Sequence, residues 1–288
     1  MKRIKLFILL LAMVASTAFA WAQETSGTCG DKLTWEYNDG TLTLSGSGAM
    51  YDYNIYNSYD NNFSRAAPWM EHYLNQIQSV VVDEGVTQIG NYAFYQCKLL
   101  TSVSLPSSLT SIGEAAFSTC LNLPTINFPE GLKSIGQSAF EECNALTSLV
   151  LPASLESLGR FAFEMCDNLT SVELPASLKN IGNYVFQNSK KISDITVHWT
   201  SLEGVSVGYK IFNSHPNPGS ITLHIPAGTK SIYENADPWK DLQIVEEEQG
   251  IEEIRTNPAV NGRKVIYNGQ VYILQEGKSY TLTGTEIK

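Results

Sequence analysis

A phenylalanine returns every 23 residues through the middle of this chain, at Phe94, Phe117, Phe140, Phe163 and Phe186. The same neighbours accompany each one: a glycine four positions before it, and a cysteine or serine three positions after it. The glycines are Gly90, Gly113, Gly136, Gly159 and Gly182, and the later position holds Cys97, Cys120, Cys143, Cys166 and Ser189. Self-similarity at a fixed period of this size is the signature of a repeat protein, in which each unit packs against its neighbours. We therefore expect a stacked array of units.

A single unit is predicted to contain one strand and two corners. Apolar residues alternate with others over 146–151, as in a short strand. Pro152 lacks an N–H, so the strand should end there. We predict a second corner at Gly159, with a positive φ, and a short extended or 3₁₀ segment at 162–163 that packs inward. Stacked copies about 4.8 Å apart bury apolar side chains that one unit cannot. The sequence thus predicts a β-rich solenoid.

We count five full units and a degenerate sixth. The full units span 77–99, 100–122, 123–145, 146–168 and 169–191. The degenerate unit, 192–226, keeps the strand pattern, but Trp199, Gly208 and Phe212 are out of register. Residues 227–245 are predicted to cap the solenoid, because a terminal repeat must cover an open apolar end. The solenoid is accordingly placed at 77–245.

The I-G-x-x-A-F-x-x-C core of the unit, with similar entry and exit segments, resembles the BspA-like leucine-rich-repeat surface proteins, whose repeat is also called the treponemal type. The resemblance runs from about Cys29 to Val245. It implies a right-handed leucine-rich-repeat superhelix and a cell-surface or secreted location. It also implies adhesion to host extracellular matrix proteins or to other bacteria, which some members carry out.

The first 22 residues have the pattern of a cleaved signal peptide. A basic start with Lys2, Arg3 and Lys5 precedes an apolar run over 6–14, and small residues allow cleavage before Gln23. Cleavage would remove these three cations from a chain of net charge −10, leaving −13. Such an acidic protein repels phosphate backbones, so we expect no nucleic acid partner. We also expect no membrane span after removal of the signal, because the apolar run is too short for one.

The two ends outside the solenoid are predicted to be β-rich. Residues 23–76 should form an N-terminal cap with a β-hairpin whose turn is Asn-Asp-Gly at 38–40. Acidic residues and a proline mark 246–260 as a linker. The last segment, 261–288, is predicted to be a three-stranded meander. It could be a sorting tail or an inert cap.

The cysteines are predicted to be buried and reduced. Cys97, Cys120, Cys143 and Cys166 occupy one place in successive units, so their Cβ vectors should be parallel, which suits disulfides poorly. Small buried hydrophobic side chains fit this pattern better. Cys29 has no obvious partner, and no ligand spacing for zinc occurs.

No arrangement of residues typical of catalysis is found in the sequence. The four histidines stand in no nucleophile or metal motif. The carboxylate neighbours Asp83-Glu84 and Glu141-Glu142 should diverge into solvent, which does not suit a glycosidase pair. We therefore expect a protein that is not an enzyme and has no metal or cofactor.

Binding is the function that a solenoid favours, because its sheet presents rows of outward side chains. The residues beside each strand's central apolar position are predicted to form this face, although it could equally be a solvated sheet without a ligand. The candidate binding residues are Ser102, Ser104, Thr125, Asn127, Ser148, Ser171, Glu173 and Thr196. Ser79, Val81, Val150 and Asp194 complete the rows.

Two functional hypotheses follow. The first is a monomeric, secreted or outer-envelope protein that adheres to matrix or other surface proteins. The second is a carbohydrate-binding envelope component that uses the tyrosine-rich stretch near the N-terminus, with Tyr51, Tyr53 and Tyr56 as glycan contacts. A cap loop is the alternative interpretation of that stretch.

Overall fold

A computed structural model describes residues 24–54 and 66–247, and the backbone of five strands between 252 and 287. The predicted signal peptide at 1–22 lies outside the described residues. Short strands build the solenoid, with an antiparallel hairpin at its start. In chain order they are β1 (Ser26–Gly30), β2 (Leu33–Asn38), β3 (Thr41–Gly46), β4 (Gly48–Ala49), β5 (Ser79–Val82), β6 (Val86–Ile89), β7 (Ser102–Ser104), β8 (Ser111–Ile112), β9 (Ser134–Ile135), β10 (Ser148–Val150), β11 (Ser157–Leu158), β12 (Ser171–Leu174), β13 (Asn180–Ile181), β14 (Asp194–Val197), β15 (Ser206–Val207), β16 (Thr222–Pro226) and β17 (Gln243–Glu247).

The strands stack in two parallel columns. We call β5, β7, β10, β12, β14, β16 and β17 the face sheet, and we call β4, β6, β8, β9, β11, β13 and β15 the short-strand sheet. Equivalent residues of successive units pair with each other, as in Ser148↔Ser171 and Leu158↔Ile181. Each unit is therefore one turn, or rung, of the chain, and the predicted β-solenoid is confirmed.

The recurring phenylalanines form one continuous stack through the core. Phe94, Phe117, Phe140, Phe163 and Phe186 are all buried, and successive ring centroids lie 5.0, 5.2, 5.3 and 6.0 Å apart. These distances and the small angles between the rings are those of offset-stacked aromatic pairs. The 23-residue period of the sequence thus places each phenylalanine ring in contact with the ring of the next rung.

The segments that carry these phenylalanines are turns, neither extended nor 3₁₀ as predicted. In each rung the residues two before and two after the phenylalanine have positive φ, for example Phe161 (58°) and Met165 (55°). Such turns expose alternate N–H groups along the solenoid axis, and each donates to the next rung. We call these stacked segments, 92–96, 115–119, 138–142, 161–165, 184–188 and 210–214, the turn column.

The repeated glycine is required by close packing, and the prediction that Gly159 has a positive φ was wrong. A Cβ added at Gly159 would lie 2.4 Å from both the carbonyl carbon of Gly136 and the nitrogen of Gln137 in the preceding rung. The segment before it, predicted as a corner, is strand β11 of the short-strand sheet. The glycines let the backbones of successive rungs approach each other at this sheet's edge.

The cysteine position holds a buried side chain that donates a hydrogen bond to the preceding rung. Cys143 Sγ lies 3.2 Å from the carbonyl oxygen of Phe117, and Cys120 and Cys166 make the same contact at 3.4 Å. Ser189 replaces the thiol with a hydroxyl and donates to Phe163 O at 2.9 Å. All five cysteines are buried and free of disulfides.

Iodoacetamide is expected to leave the cysteines of the native protein unmodified at neutral pH. Burial raises the pKa of Cys29, Cys97 and Cys143 to about 12 and raises those of Cys120 and Cys166 well above their usual value. The reactive thiolate is therefore scarce as well as inaccessible. Mass spectrometry would count the labelled sites with and without urea, and all five should react in urea. Labelling of the native chain at the same rate as in urea would contradict this burial.

The face sheet is interrupted at the third rung. Residues 124–128 form no strand and make no backbone hydrogen bonds to the rungs on either side within the described part of the chain. At the equivalent position of other rungs, Thr101 N–H donates to Gln78 O (2.8 Å) and Thr170 N–H to Thr147 O (2.9 Å). Pro124 occupies this position and has no N–H to donate. Ile126 and Phe128 remain only half-buried in consequence.

The N-terminal cap contains the predicted hairpin, which continues directly into the solenoid. Asp39 (φ 43°) and Gly40 (φ 80°) form the tight turn between β2 and β3, as a type I′ turn requires. Strand β3 then pairs in parallel with β5. Trp69, which precedes a short helix (Met70–Tyr73), stacks on Phe94 with 5.7 Å between ring centroids and covers the end of the phenylalanine stack.

The sixth rung restores the register that the sequence had appeared to lose. Phe212 follows Phe186 after 26 residues, yet the two rings stack at 5.9 Å. Gly208 lies against Gly182 in the same way. The additional residues fall in the loop before β15. Trp239, in a 3₁₀ turn (Trp239–Asp241), then packs edge-on against Phe212 and closes the core.

Beyond residue 247 the structure contains more strands than the sequence predicted. The strands are β18 (Glu252–Ile254), β19 (Arg263–Tyr267), β20 (Gln270–Gln275), β21 (Lys278–Thr281) and β22 (Glu286–Ile287), joined as an antiparallel meander. The predicted linker at 246–260 contains the end of β17 and all of β18, so that prediction was wrong in part.

Candidate interaction surface

The outward side chains of the face sheet form a polar surface, which we call the sheet face. The central residue of each strand points into the core, as Leu149 and Val172 do, and its neighbours point outward. This alternation follows from the pleat of a strand. Parallel pairing in register aligns the outward residues into rows, with Val150 beside Glu173.

The interruption at the third rung divides the predicted binding residues into two patches. The N-terminal patch, on β5 and β7, contains Ser102 and Ser104. The C-terminal patch, on β10, β12, β14, β16 and β17, contains Ser148, Ser171, Glu173 and Thr196. Thr125 and Asn127 are exposed between the patches but lie on no strand. The prediction that these two residues belong to a continuous sheet row was therefore wrong, because Pro124 breaks the ladder.

Some hydroxyl groups of the rows bond to each other. Ser102 Oγ donates to Ser79 Oγ at 3.0 Å, from one rung to the one before it. At the strand entry, Thr101 and Thr170 hydroxyls donate to the backbone carbonyls of Gln78 and Thr147 at 3.1 and 3.0 Å. The small polar side chains therefore stabilise the stack as well as lining its surface.

The C-terminal patch carries His198, His224 and Glu247, which were not predicted to lie on the face, beside Glu173 and Asp194, which were. His198 Nε2 lies 2.7 Å from Glu173 Oε1. His224 lies between two carboxylates, 3.5 Å from Asp194 and 3.6 Å from Glu247. The alternating pattern of 221–226 could have placed His224 outward. No sequence pattern indicated that Glu247 lies beside His224.

A single apolar side chain is strongly exposed beside the interruption. Val150, at the edge strand β10, is 62% exposed, and the half-buried Ile126 and Phe128 lie in the neighbouring rung. This gives the boundary between the patches an apolar character, and Val245 on β17, which is 45% exposed, is a second exposed apolar side chain of the face sheet. Exposed apolar groups rimmed by polar ones are typical of interaction sites when they are contiguous.

The two proposed glycan-contact tyrosines that the structure describes, Tyr51 and Tyr53, do not form a platform. Tyr53 is only 6% exposed, with its ring packed edge-on against Trp69 at 5.8 Å and its hydroxyl 3.4 Å from Cys29 O. Tyr53 belongs to the core of the cap, so its prediction as a ligand contact was wrong. Tyr51 is 46% exposed and donates to Asp31 at 2.9 Å. Tyr56 lies outside the described residues.

The carboxylates with shifted pKa values each join two rungs. Hydrogen bonds from the Ser107 N–H and hydroxyl lower the pKa of Glu84. Burial raises the pKa of Glu164, whose Oε1 accepts a 2.6 Å bond from Gln187. Within the part of the chain that the structure describes, no group of three or more His, Cys, Asp or Glu side chains could hold a metal ion, and no helix has the length and apolarity to cross a membrane.

Six copies of a BspA-type leucine-rich-repeat region match the chain, over residues 72–193 and 168–257. The matched ranges cover the whole solenoid and more than half of the chain. This chain belongs to the BspA-type leucine-rich-repeat family. No curated protein sequence matches it significantly.

Solved structures of similar fold come from several bacteria. The pneumococcal vaccine antigen PcpA matches this BspA-type protein with a TM-score of 0.50 and 17% identity over 74% of this chain and 48% of PcpA. The Treponema pallidum leucine-rich-repeat protein gives 0.43 and 22%, over 74% and 92% of the two chains. A Bacteroides ovatus leucine-rich-repeat protein gives 0.44 and 19%, over 75% and 66%. At these identities the likeness to PcpA supports the fold alone.

Proposed function

We propose that this BspA-type protein is an exported, non-enzymatic surface protein that binds a partner protein through the sheet face. One observation carries the proposal: outward residues of successive rungs are aligned in rows on an exposed parallel sheet. A repeat sheet of this kind presents an extended surface for a macromolecule. Glu173, Asp194 and Glu247 add negative charge at one end, which would favour a partner with basic groups.

The proposed location and partners rest on sequence and family. The signal-like N-terminal pattern supports export, and a structure of similar fold is named a vaccine antigen. Matrix proteins and other surface proteins are the proposed partner class, and the protein is proposed to act as a monomer. Polar hydroxyl rows beside an apolar edge provide both hydrogen bonds and a desolvated contact, as protein interfaces require.

The test is a binding screen of the protein against immobilised matrix proteins, glycans and whole bacterial cells. Ser104→Arg and Ser148→Arg place a large cation on each patch of the sheet face and should weaken protein binding about tenfold or more by disrupting complementarity. Ser231→Arg is the matched control, because Ser231 is exposed on the short helix Lys230–Tyr233 of the C-terminal cap and not on a strand of the face sheet. It should change the Kd by less than about twofold.

Three outcomes would contradict the proposal. Equal binding by all variants would exclude the sheet face as the site. Binding to glycans alone would show that the partner is a carbohydrate and not a protein. Failure to bind any of the three kinds of target would remove the support for adhesion.

A further inference from the structure

In the turn column, three carbonyl oxygens of each rung accept backbone hydrogen bonds from three N–H groups of the rung before it. In the fifth rung, Tyr184 N–H donates to Tyr209 O (3.1 Å), Phe186 N–H to Ile211 O (2.9 Å) and Asn188 N–H to Asn213 O (2.9 Å). The same three positions donate in every earlier full rung. Those donors are Tyr92, Phe94, Gln96, Ala115, Phe117, Thr119, Ser138, Phe140, Glu142, Phe161, Phe163 and Met165.

The N-terminal end of the turn column is covered by the cap. Its first rung exposes carbonyl oxygens toward the cap, and the cap supplies donors for two of them. Tyr53 N–H donates to Asn91 O at 3.0 Å, and Trp69 Nε1–H donates to Ala93 O at 2.8 Å. This end is therefore closed to a further rung.

The C-terminal end of the turn column has donors without acceptors. Lys210, Phe212 and Ser214 occupy the three donor positions of the sixth rung, and Lys210 and Ser214 keep the characteristic positive φ. Among the described residues, none of their N–H groups has an acceptor. Trp239 packs on the Phe212 ring, but an indole offers only a donor. The C-terminal cap thus covers the apolar core without completing the backbone ladder.

A cleft lies against this open end. It has a volume of about 540 Å³ and lies between residues 207–213 and 218 of the sixth unit and the cap residues Asp237, Pro238, Asp241 and Leu242. This volume lies within the range of about 300–1,000 Å³ typical of ligand sites. Tyr209, which is 60% exposed, stands at the cleft and offers an aromatic surface.

The charges of the cleft select the kind of acceptor. Asp237 and Asp241 line the cleft together with Lys210, whose Nζ lies 4.9 Å from the centroid of the Tyr209 ring. Asp237 is paired with Lys240 at 2.6 Å, whereas Asp241 makes no ion pair within the described residues. With two carboxylates and one ammonium group on the wall, the lining favours neutral over anionic acceptors at the free N–H groups. Peptide carbonyls are neutral, and they are the groups that accept the hydrogen bonds from alternate N–H groups in each full rung. A Lys or Arg side chain on the same peptide would pair with Asp241.

We propose that this cleft binds a Lys- or Arg-containing peptide segment of a partner protein. Its carbonyls accept hydrogen bonds from the Lys210, Phe212 and Ser214 amides, so that the peptide adds a seventh segment to the turn column. A second copy of the chain is not the expected occupant, because Tyr53 and Trp69 already cover the matching carbonyls at its N-terminal end. The cleft is separate from the sheet face, and the proposal does not depend on binding there.

Amide hydrogen exchange, resolved by residue, tests the proposal on the whole protein. The free protein should exchange the Lys210, Phe212 and Ser214 amides about 100-fold faster than the bonded Tyr184, Phe186 and Asn188 amides, which are the internal reference. The probe is a synthetic peptide of residues 205–217, which carries the carbonyls and the cation that a seventh segment needs. At saturation it should slow the three open amides about tenfold or more.

Anisotropy of the labelled peptide measures the role of Asp241. Asp241→Lys should raise the Kd about tenfold, because it replaces attraction by repulsion. Glu203→Lys makes the same charge change at an exposed loop residue outside the cleft and should alter the Kd less than about twofold. Three results would each overturn the proposal: slow exchange of the open amides in the free protein, no protection at about 1 mM peptide, or equal effects of the two variants.

Discussion

Replacing Phe140 by alanine should lower the free energy of unfolding by about 3–5 kcal/mol. Phe140 is fully buried and stacks between Phe117 at 5.2 Å and Phe163 at 5.3 Å, with Phe128 packed edge-on at 5.6 Å. Alanine would leave a cavity in the middle of the phenylalanine stack. Two rung interfaces would lose packing at once, because each ring contacts both neighbours.

Urea unfolding followed by circular dichroism measures this loss. Phe161→Ala is the matched control, since Phe161 stacks on Tyr184 at 5.3 Å but is only half-buried in the turn column. Its loss should not exceed about 1.5 kcal/mol. Equal losses for the two variants would mean that the phenylalanine stack is not the main source of core stability.

Replacing Gly159 by alanine should also destabilise the protein strongly, by about 3 kcal/mol. Gly159 has no positive φ, so alanine alone would normally stabilise the chain by restricting its unfolded state. The added Cβ would lie 2.4 Å from the backbone of Gly136 and Gln137. The rungs would have to separate, which would strain the bond from Gly159 N–H to Ile135 O (2.8 Å).

Gly219→Ala is the control for this substitution. A Cβ at Gly219 would meet its nearest neighbours at 3.6 Å, an ordinary contact, and Gly219 also lacks a positive φ. Its effect should lie between zero and a gain of about 1 kcal/mol. The two substitutions should therefore change the free energy of unfolding in opposite directions in the same urea experiment. A neutral or stabilising Gly159→Ala would contradict the close approach of the rungs.

The period of the sequence was sufficient to predict the solenoid and much of its core. A phenylalanine every 23 residues can be buried in equivalent environments only if successive units stack, and the face strands followed from the alternation before each Pro. The hairpin was predictable because Asn-Asp-Gly at 38–40 suits two positive φ angles. These features depend on local residue types, so the sequence reveals them directly.

Other features depend on contacts between rungs, which one unit does not reveal. The left-handed positions of the turn column hold residues as different as Tyr92, Ala115 and Lys210, so no residue type marks them. Gly159 is conspicuous in sequence, but packing between rungs and not its own φ explains it. The alternation of face strands identified Ser148 and Ser171 as outward residues. It could not bring Glu247 to His224, because a cap of different length intervenes.

The interruption at Pro124 also affects how the solenoid bends. Strands β8, β9 and β11 of the short-strand sheet run through the third rung without a gap, whereas the face sheet has no ladder between β7 and β10. The third rung should therefore bend more easily on the side of the face sheet, because the short-strand sheet and the turn column keep their hydrogen bonds there. We therefore expect the two patches of the sheet face to tilt relative to each other about this rung. A rigid partner that binds both patches would hold the angle between them fixed.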